Sequence, residues 1–555
     1  MSGSRPSFLI LIREGNNIIM KHEATRPTAA QLAWQDMELG MFIHWSPTTY
    51  FTESGYDNLA TPLKEIDPKM LDTDQWVKVA RFMGARYIVI VAKHMEGFCI
   101  WQTQTTEYSI QNTPWRDGKG DILKDLSESC RKYGIHLGVY LSPADKHFGA
   151  RTGGKCETPD KQKEYECMYR EQLTELLTRY GQMVEVWFDG SNDMELGDIL
   201  KQHAPDAMVF QSRYATIRWV GNEEGIATYP AWNAVQKKDA ETGVATNRHG
   251  TPEGDVWMPL ECDARIRAAW FWKPDNETTL KSVDQLMQMY YRSVGNGAVL
   301  LLNHTPDRTG LIPEADVQRA AEFGAEIQRR FGYPLKETPG SGESVELVFD
   351  RPEVVDHVVI MEEIAFGERI RAYTVEGLLE SGEWKVLCRG TAVGHKRIEP
   401  FAPARVSKIR LTCTKYTEYP LIRKLAAFCC NAILPETNRE ISTSSIKIGE
   451  WGSEIYYRKG WSRGAELEYD ITDLIDDAGQ FEIKFIQVYG EHGFEASVSV
   501  WIDGLEYPQY VEPGNQDLTY HLFFPGIEKD IRIKATMKGI GGSDCNGEVY
   551  LTRVR

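Results

Sequence analysis

The 555-residue sequence lacks the short motifs that identify several common enzyme classes. It has no GxGxxG or GxxxxGKS/T run, which disfavours a nucleotide-binding loop, and no GxSxG run, which disfavours a serine hydrolase. It also has no HExxH helix, and its ten cysteines form no CxxC pair or other zinc spacing. These absences disfavour nucleotide, serine-hydrolase and metal chemistry.

The sequence also lacks an excess of positive charge. Its net charge is −17, and it has 63 Lys and Arg against 80 Asp and Glu. Nucleic acids and anionic membranes both favour clustered cations, so neither is expected as the main partner. The charged fraction of 26% and hydrophobic fraction of 42% are those of an ordinary globular protein, and the length predicts two to four domains.

Features of secretion are missing as well. The apolar run at residues 8–12 is shorter than a signal-peptide core and has no small-residue cleavage site behind it. Met20 is an alternative natural start, and no run approaches the length of a membrane span. Cys429 and Cys430 are adjacent, which is poor disulfide geometry, so the cysteines are expected to be reduced. The sequence predicts a cytoplasmic protein, or an extracytoplasmic one if the native N-terminus differs.

From Pro27 to Phe331, short apolar runs alternate with helical patterns, which is typical of a parallel α/β architecture. The candidate strands are residues 41–43, 87–91, 137–141, 184–188, 207–210 and 298–302. The candidate helices are residues 121–133, 161–180, 283–294 and 314–330. We therefore expect a (β/α)8-like, TIM-type barrel.

After Pro334 the sequence pattern changes to short runs in which polar and apolar residues alternate, separated by turns. This pattern predicts two antiparallel β-sandwich domains. The second sandwich either braces the barrel or binds carbohydrate. The predicted division is an N-terminal extension at 1–26, a catalytic barrel at 27–333, a β-sandwich at 334–435 and a second β-sandwich at 436–555.

Several residues suited to chemistry follow the predicted strands. His44, His94, Tyr140 and Asp189 all fall near carboxyl ends of strands, where barrel enzymes build their active sites. Asp189 offers a carboxylate of the kind that glycoside cleavage needs, although an Asp-Gly pair is also a common turn. The two histidines lack a third ligand at metal spacing, so they are expected to donate hydrogen bonds to hydroxyl groups.

A second carboxylate is needed for glycoside cleavage, and two candidates follow Asp189. Glu223 lies in a polar, glycine-flanked loop at residues 221–225, where a solvated turn is the alternative interpretation. Glu261 lies shortly before Trp270 and is the rival acid. A separation of about 5–5.5 Å from Asp189 would give a retaining mechanism.

Four ordered motifs resemble those of the glycoside hydrolase family 29 α-L-fucosidases, over roughly residues 30–330. They are GMFIHW at 40–45, KHMEGFCIW at 93–101, GVYLSP at 138–143 and WFDG at 187–190. The resemblance implies double displacement, with Asp189 as the nucleophile that forms a covalent fucosyl-enzyme, and it implies no cofactor or metal. The substrate-binding residues expected are His44, Trp45, His94, Trp101, Tyr140, Trp187, Arg218, Glu261, Asp263 and Trp270.

The finer resemblance is to the subgroup that prefers α-1,3/1,4-linked fucose on Lewis-type glycans. It rests on the stretches at 140–145 and 218–223 and on the stretch from Glu261 onward, and it implies that Glu223 is the acid/base. One departure is clear: the family's His-His-Asp-Gly run is His94-Met95-Glu96-Gly97 here, and a thioether cannot donate a hydrogen bond. The loop between Asp189 and Ala207 is also short for the family, which would open the aglycone side.

Two alternatives remain open at this stage. One is a catalytically silent fucose-binding protein, and the other is a retaining glycosidase for a related sugar such as an α-L-galactoside. In each case the expected partner is a fucosylated oligosaccharide or glycoconjugate, or its relative, with no nucleic acid and no membrane.

Overall fold

The computed structural model describes the chain in separate stretches. They are residues 10–14, 17–21, 24–53, 55–227, 229–240, 250–432, 445–452, 465–475, 479–489, 493–507, 510–512, 517–524, 530–540 and 546–553. Two compact units are formed, one from Met1–Val220 with Gly225–Ala432 and one from Gly221–Glu224 with Ile433–Arg555. The predicted domain boundaries after residues 26, 333 and 435 stay predictions.

Nine cysteines lie in the described stretches and all are free thiols, as expected, whereas Cys545 lies outside those stretches. Within the same stretches, no helix has both the length and the apolar composition needed to cross a membrane. Near the N-terminus, β1 (Ile10–Glu14) and β2 (Asn17–Lys21) pair as an antiparallel hairpin.

The next strands build the barrel and a small hairpin in one of its loops. In chain order they are β3 (Leu39–Ile43), β4 (Tyr87–Lys93), β5 (His136–Leu141), β6 (Met183–Trp187), β7 (Met208–Phe210), β8 (Arg218–Trp219), β9 (Ala234–Val235), β10 (Val256–Trp257), β11 (Leu260–Arg265) and β12 (Val299–His304). β9 and β10 form the hairpin, and the other eight form one parallel sheet in the order β7-β6-β5-β4-β3-β12-β11-β8. A parallel bridge between Phe210 and Ile217 joins the two edges, so the barrel is nearly closed. The predicted (β/α)8-like fold is confirmed.

The helices of this unit are connections between the strands and a closing helix. They are α1 (Ala29–Gln35), α2 (Thr73–Met83), α3 (Ile122–Tyr133), α4 (Pro159–Arg179), α5 (Gly197–His203), α6 (Lys237–Ala240), α7 (Val283–Arg292) and α8 (Glu314–Phe331). Local chemistry sets several ends. Asp72 and Asp121 cap the first turns of α2 and α3 through their carboxylates, while Gly84 and Gly134 end the same helices in the left-handed conformation.

The barrel interior is filled by side chains from alternate strand positions. The buried cluster contains Phe42, Val89, Tyr140, Trp187 and Leu301, as expected for a packed core. Gly40 makes room for a neighbour, because a Cβ there would lie 2.4 Å from the ring of Tyr87. The tyrosine ring therefore occupies the space that a β3 side chain would fill.

A six-stranded antiparallel sheet follows the barrel in the same compact unit. Its strands are β13 (Lys336–Ser341), β14 (Ser344–Glu362), β15 (Ile370–Leu379), β16 (Trp384–Gly390), β17 (Arg397–Tyr416) and β18 (Leu421–Phe428), in the order β13-β18-β14-β17-β15-β16. The long strands β14 and β17 pair along most of their length, with two register shifts. One apolar core, which includes Val358, Tyr373 and Leu411, lies beneath the sheet.

The second unit is a two-sheet sandwich. Its strands are β19 (Ser445–Trp451), β20 (Ala465–Asp470), β21 (Gly479–Tyr489), β22 (Gly493–Ile502), β23 (Leu505–Tyr507), β24 (Tyr510–Glu512), β25 (Asp517–Phe524), β26 (Ile531–Ile540) and β27 (Asn546–Arg553). They form a five-stranded sheet, β19-β27-β21-β25-β24, and a four-stranded sheet, β20-β26-β22-β23. Side chains from both sheets share one core around Trp451 and Phe485.

Candidate active site

The site is built at the carboxyl ends of neighbouring barrel strands. His44 follows β3, His94 follows β4, Tyr140 lies near the end of β5 and Asp189 follows β6 by two residues. Asn303 lies near the end of β12, on the other side of β3. Because the strands are parallel, these ends meet at one rim of the barrel, as the sequence predicted.

Asp189 is held by a phenol. The Tyr140 hydroxyl donates a hydrogen bond to Asp189 Oδ2 at 2.9 Å. Burial and the nearby carboxylate raise the pKa of Tyr140 well above its usual value, so the phenol stays a donor. Asp189 itself is only partly buried. One carboxylate oxygen is thus fixed on a residue that a substrate can reach.

Trp187 supports this pair from inside the barrel. Its ring stacks on Tyr140, with centroids 5.5 Å apart and planes at 23°, and on Phe210, with centroids 3.7 Å apart and planes at 4°. Two-residue periodicity places Trp187 and Asp189 on the same, inward side of β6 and its extension. The aromatic stack therefore fixes the ring that carries the phenol.

His44 is presented as a neutral imidazole. Its Nδ1 lies 2.7 Å from Asn303 Oδ1, and Asn303 Nδ2 donates to the Trp270 carbonyl at 2.9 Å. The second contact fixes the amide orientation, so the Nδ1–H donates and Nε2 is left as an acceptor. Burial and the neighbouring His94 lower the pKa of His44 well below its usual value. A hydroxyl group can therefore donate to Nε2.

His94 is oriented by the buried carboxylate of Glu96. Nδ1 of His94 lies 3.0 Å from Glu96 Oε2, and the imidazole stacks on Tyr140 with centroids 5.8 Å apart and planes at 16°. Met95, between the two, is half-buried, and its carbonyl accepts from the Lys146 amide at 2.8 Å. The motif thus keeps one imidazole with a fixed orientation where the family pattern has two.

Two aromatic rings that the sequence did not predict as site residues, those of Phe271 and Tyr56, pack beside the two imidazoles. Phe271 packs edge-on against both His44 and His94, at centroid distances of 5.2 and 5.0 Å. Trp270, which was predicted, lies 5.0 Å from His44, and Tyr56 lies 5.3 Å from His94. The run of aromatics at residues 270–272 was a signal for Phe271, whereas Tyr56 lies in a loop without any pattern.

A buried ion pair braces the turn that carries His94. Lys93 Nζ lies 3.1 Å from Asp145 Oδ2 and 3.2 Å from the Tyr165 hydroxyl. Gly97 has a φ of +97°, and a Cβ there would lie 2.2 Å from Asp145 Oδ1. Glycine is required at this turn for both reasons. The loops after β4 and β5 are locked together behind the imidazole.

Glu261 and Asp263 both point into the barrel from β11. Glu261 is fully buried, and its carboxylate accepts from Trp187 Nε1 at 2.8 Å and from the Tyr87 hydroxyl at 3.3 Å. Asp263 accepts from the indole N–H of Trp219. Glu261 is therefore engaged beneath the Trp187 ring, and this position argues against it as the acid/base.

Three predicted substrate-binding residues have their polar groups elsewhere. The Trp101 ring is fully buried, and its indole N–H donates to Glu175 of α4 at 2.8 Å. Arg218 alternates with inward-facing Trp219 along β8, and its guanidinium donates to the Trp232 carbonyl. These contacts give the polar groups of both residues partners outside the cluster around Asp189, and their role in substrate binding stays a prediction. Trp45 is buried and donates to the Asp307 carbonyl at 3.2 Å.

Glu223 lies in the loop after β8. The segment Gly221–Glu224 belongs to the second compact unit, whereas Asp189 belongs to the first. Glu223 is partly buried, and the neighbouring Asn222 side chain accepts from the Glu224 amide at 3.0 Å. The loop is thus ordered by an Asx turn, and the role of Glu223 stays a prediction.

One group of residues in the described stretches has donor atoms close enough to suggest a metal site. It comprises Asp356 and His357 of β14 and Cys430, which follows β18, and none of the three belongs to a barrel strand. Asp356 Oδ1 is 2.7 Å from both His357 Nδ1 and the Cys430 amide, and His357 Nε2 is 2.8 Å from the Tyr291 hydroxyl. These contacts make it a hydrogen-bond cluster that fastens β14 and the residues after β18 to α7.

Comparison with known proteins bears on this site. A family model described as Alpha-L-fucosidase matches residues 46–330, more than half of the chain. Alpha-L-fucosidase 1 of Arabidopsis thaliana is 31% identical over 451 residues, which cover 72% of this chain and 87% of the plant protein. The chain belongs to the α-L-fucosidase family. It is a glycoside hydrolase, and fucosylated glycans are its class of substrate.

Solved structures of the α-L-fucosidase family share the architecture. A GH29 fucosidase of Ruminococcus gnavus in complex with fucose is 28% identical, with a TM-score of 0.65, and covers 73% of this chain and 95% of its own. A glycoside hydrolase 29 family member from an unknown rumen bacterium is 26% identical, with a TM-score of 0.66, and covers 96% of each chain. The barrel followed by antiparallel sheets is thus the fold of this family.

Proposed function

We propose that this enzyme is a retaining exo-α-L-fucosidase that releases terminal L-fucose from α-1,3/1,4-fucosylated, Lewis-type glycans. Asp189 is the nucleophile and Glu223 the acid/base. The observation that carries the proposal is the hydrogen bond from Tyr140 to Asp189 at the centre of the imidazole and aromatic cluster. A carboxylate held in this way presents its second oxygen to an anomeric carbon.

Asp189 has the properties that a glycosyl nucleophile needs. It is partly exposed, and the raised pKa of its hydrogen-bond donor Tyr140 keeps the phenol protonated, so the phenol continues to orient one carboxylate oxygen. In double displacement, the carboxylate oxygen bonds to the anomeric carbon as the glycosidic oxygen leaves with a proton from the acid. Water then attacks the fucosyl ester, and the residue that was the acid in the first step now acts as the base. The anomeric configuration is retained.

The assignment of Glu223 as the acid/base follows from the family resemblance and from the position of its rival. Glu261 is fully buried beneath Trp187, and both of its oxygens accept hydrogen bonds from barrel residues. An acid that protonates a leaving group must reach the rim. Glu223 lies in a polar loop after β8 and is only partly buried, and this partial exposure supports its assignment.

The cluster is suited to a deoxy sugar. His44 accepts and His94 offers its other ring nitrogen, so the two can bind neighbouring hydroxyls, while Phe271 and Trp270 provide apolar area for a methyl group. A site built to pair hydroxyls discriminates strongly against sugars that lack them. Linkage preference belongs to the aglycone side, where the short loop after Asp189 distinguishes this chain from the family pattern. Met95 instead replaces an imidazole that binds a sugar hydroxyl in the family, and its thioether cannot donate a hydrogen bond.

Azide rescue tests the catalytic pair. Glu223→Ala and Glu261→Ala are assayed with an aryl α-L-fucoside whose activated leaving group needs no acid, with and without azide. Rescue of the Glu223 variant is expected, with α-fucosyl azide as the product, because azide replaces water in the second displacement and the configuration is retained. Rescue of the Glu261 variant alone would overturn the assignment. A panel of Lewis-type oligosaccharides and an aryl α-L-galactoside tests the linkage and the sugar, and preference for the galactoside would refute the fucose assignment.

A further inference from the structure

Two glutamates occupy the barrel interior on the side of Trp187 away from the rim. Glu185 of β6 and Glu261 of β11 are both fully buried, and the charge of Glu185 contributes, after burial, to the raised pKa of Glu261. Glu185 precedes Asp189 by four residues, which is about 13 Å along an extended strand. Neither carboxyl group is used by the proposed reaction.

Each glutamate accepts an indole N–H. Trp34 of α1 donates to Glu185 Oε2 at 3.0 Å, and Trp187 donates to Glu261 Oε1 at 2.8 Å. The Tyr87 hydroxyl adds a third donor, 3.3 Å from Glu261 Oε2. The two glutamates and their three donors therefore form a polar cluster in an otherwise apolar core. Glu261 is in direct contact with the Trp187 ring.

Chemistry requires a proton within the pair. Two carboxylate anions that repel each other in an apolar interior are strongly disfavoured, so one of the two groups is expected to hold a proton. Burial raises the pKa of Glu261 well above its usual value and that of Glu185 to about 7. The titratable groups that face them are Tyr87, Asp263 and Cys262. Glu261 accordingly holds its proton at neutral pH.

A continuous set of contacts joins this pair to Asp189. Glu261 accepts from the Trp187 indole, Trp187 stacks on Tyr140, and the Tyr140 hydroxyl donates to Asp189. Stacking fixes the plane of the indole, but a half-turn of the ring about its Cβ–Cγ bond would keep a similar plane and move the indole nitrogen to the opposite side. The hydrogen bond to Glu261 removes this freedom, because it defines where the indole nitrogen lies.

We propose that Glu261 is a positioning residue that fixes the Trp187 ring and, through it, the Tyr140 hydroxyl that orients Asp189. This inference rests on the proposed role of Asp189. It explains why a polar pair is buried where an apolar pair would fill the same space. Replacing a buried polar pair by apolar residues is often neutral for stability, so its benefit lies in orientation.

The experiment compares three variants of the full-length protein. Glu261→Gln keeps an oxygen for Trp187, whereas Glu261→Ala removes it. Glu175→Ala is the matched control, because Glu175 is also buried and also accepts an indole N–H, from Trp101, but that tryptophan supports α4. For each variant kcat and KM are measured on an activated aryl α-L-fucoside, with and without azide, together with the melting temperature.

The expected result is a fall in kcat of at least about tenfold for Glu261→Ala, with little change in KM, because misplacement of a reacting group slows chemistry. Glu261→Gln should have a kcat within about threefold of wild type, because its amide oxygen keeps the hydrogen bond from Trp187. Glu175→Ala should keep the wild-type kcat even where its melting temperature falls.

An unchanged kcat in Glu261→Ala would overturn the proposal. So would a Glu261→Gln variant as slow as the alanine variant and rescued by azide, since that result makes Glu261 the acid/base. If Glu261→Ala does not fold, the double variant Glu185→Met/Glu261→Met preserves the volume without the carboxyl groups, and a wild-type kcat there would equally refute the inference. Inactive wild-type protein would instead contradict the proposed function.

Discussion

At the scale of single residues, the protonation state of His44 decides how the pocket binds a hydroxyl. Its Nδ1–H donates to Asn303, and burial beside His94 lowers its pKa. The imidazole therefore stays neutral in weakly acidic solution. Its Nε2 is then available to accept a hydrogen bond from a hydroxyl group, as neutral imidazole can and imidazolium cannot.

Replacing His44 tests this contact. His44→Phe keeps the ring but removes the acceptor, so kcat/KM for an aryl α-L-fucoside should fall by about tenfold to a hundredfold, which corresponds to about 1–3 kcal/mol. His136→Phe is the control, because His136 is exposed at the start of β5. Equal kcat/KM in His44→Phe and wild type would remove His44 from the binding site.

The buried Glu185 links stability to pH. Burial raises its pKa from 4.5 to about 7, so the folded protein binds a proton that the unfolded chain releases. Stability from this group is full below about pH 4.5 and is lost as pH rises toward 7. The expected contribution is on the order of 2 kcal/mol.

Urea unfolding between pH 4.5 and 8 measures this effect. Glu185→Gln removes the titration, so its free energy of unfolding should fall less with rising pH than that of wild type. The control is Glu128→Gln, since Glu128 is exposed on α3 and should leave the curve unchanged. The same slope for Glu185→Gln and wild type would contradict the assignment of a proton to the buried pair.

At the scale of elements, the strands were predictable where they are apolar. The six runs from 41–43 to 298–302 all appear as barrel strands, within a few residues of their predicted ends. β8 and β11 were not predicted, because β8 has two residues and β11 carries Glu261, Asp263 and Arg265. Inward charges remove the apolar signal that a buried parallel strand usually has.

The site was predictable to the same degree. His44, His94, Tyr140 and Asp189 follow from strand ends and motifs, since parallel strands bring such residues together. The partners of Trp101 and Arg218 were not predictable, because the direction of a side chain depends on the local backbone, which the sequence does not show. The supports Glu96, Asn303 and Glu185 were missed, as each is a polar residue whose partner is distant in sequence.

The long loop between β8 and β11 is fastened to the six-stranded sheet. Glu368 is buried and accepts from the backbone and side-chain N–H groups of Asn233, at 3.0 and 2.7 Å. Asn233 Oδ1 in turn accepts from Gln35 of α1 at 3.2 Å. One asparagine thus ties this loop to both the barrel and the sheet.

Glu368→Ala should break this connection. It leaves two buried donors of Asn233 without their acceptor, so the free energy of unfolding should fall by about 2–4 kcal/mol. Glu376→Ala, which removes a half-buried partner of Arg410 on the same sheet, should cost less than about 1 kcal/mol. Urea unfolding of both variants provides the comparison. Equal losses would show that the Asn233 contacts do not brace the loop.

At the scale of the whole molecule, the barrel and the six-stranded sheet form one unit and residues 433–555 most of another. Within the first unit, Tyr291 and Phe331 from the barrel helices pack against His357 and Phe428 of the sheet. The Ruminococcus gnavus fucosidase matches 73% of this chain with 95% of its own. A member of the family therefore matches about three quarters of this chain, and we expect the barrel and the six-stranded sheet to be sufficient for activity.

Truncation tests that reasoning. A chain ending at Ala432 should fold and hydrolyse an aryl α-L-fucoside, because its two apolar cores remain complete. A chain ending at Phe331 should aggregate, since it exposes the apolar surface that the six-stranded sheet covers. Circular dichroism, gel filtration and kcat are the measurements. If the chain ending at Phe331 is soluble and active while the chain ending at Ala432 is unfolded, the six-stranded sheet is not the domain that stabilises the barrel.

The central claim is that Asp189 forms a covalent fucosyl-enzyme. The most direct measurement is peptide mass spectrometry after reaction with a 2-deoxy-2-fluoro-fucosyl fluoride, which slows hydrolysis of the intermediate. We predict one added fluorofucosyl group, on the peptide that contains Asp189, and none in Asp189→Ala, while exposed Asp193→Ala is labelled like wild type. A label on another carboxylate, or no label together with release of inverted fucose, would contradict the account.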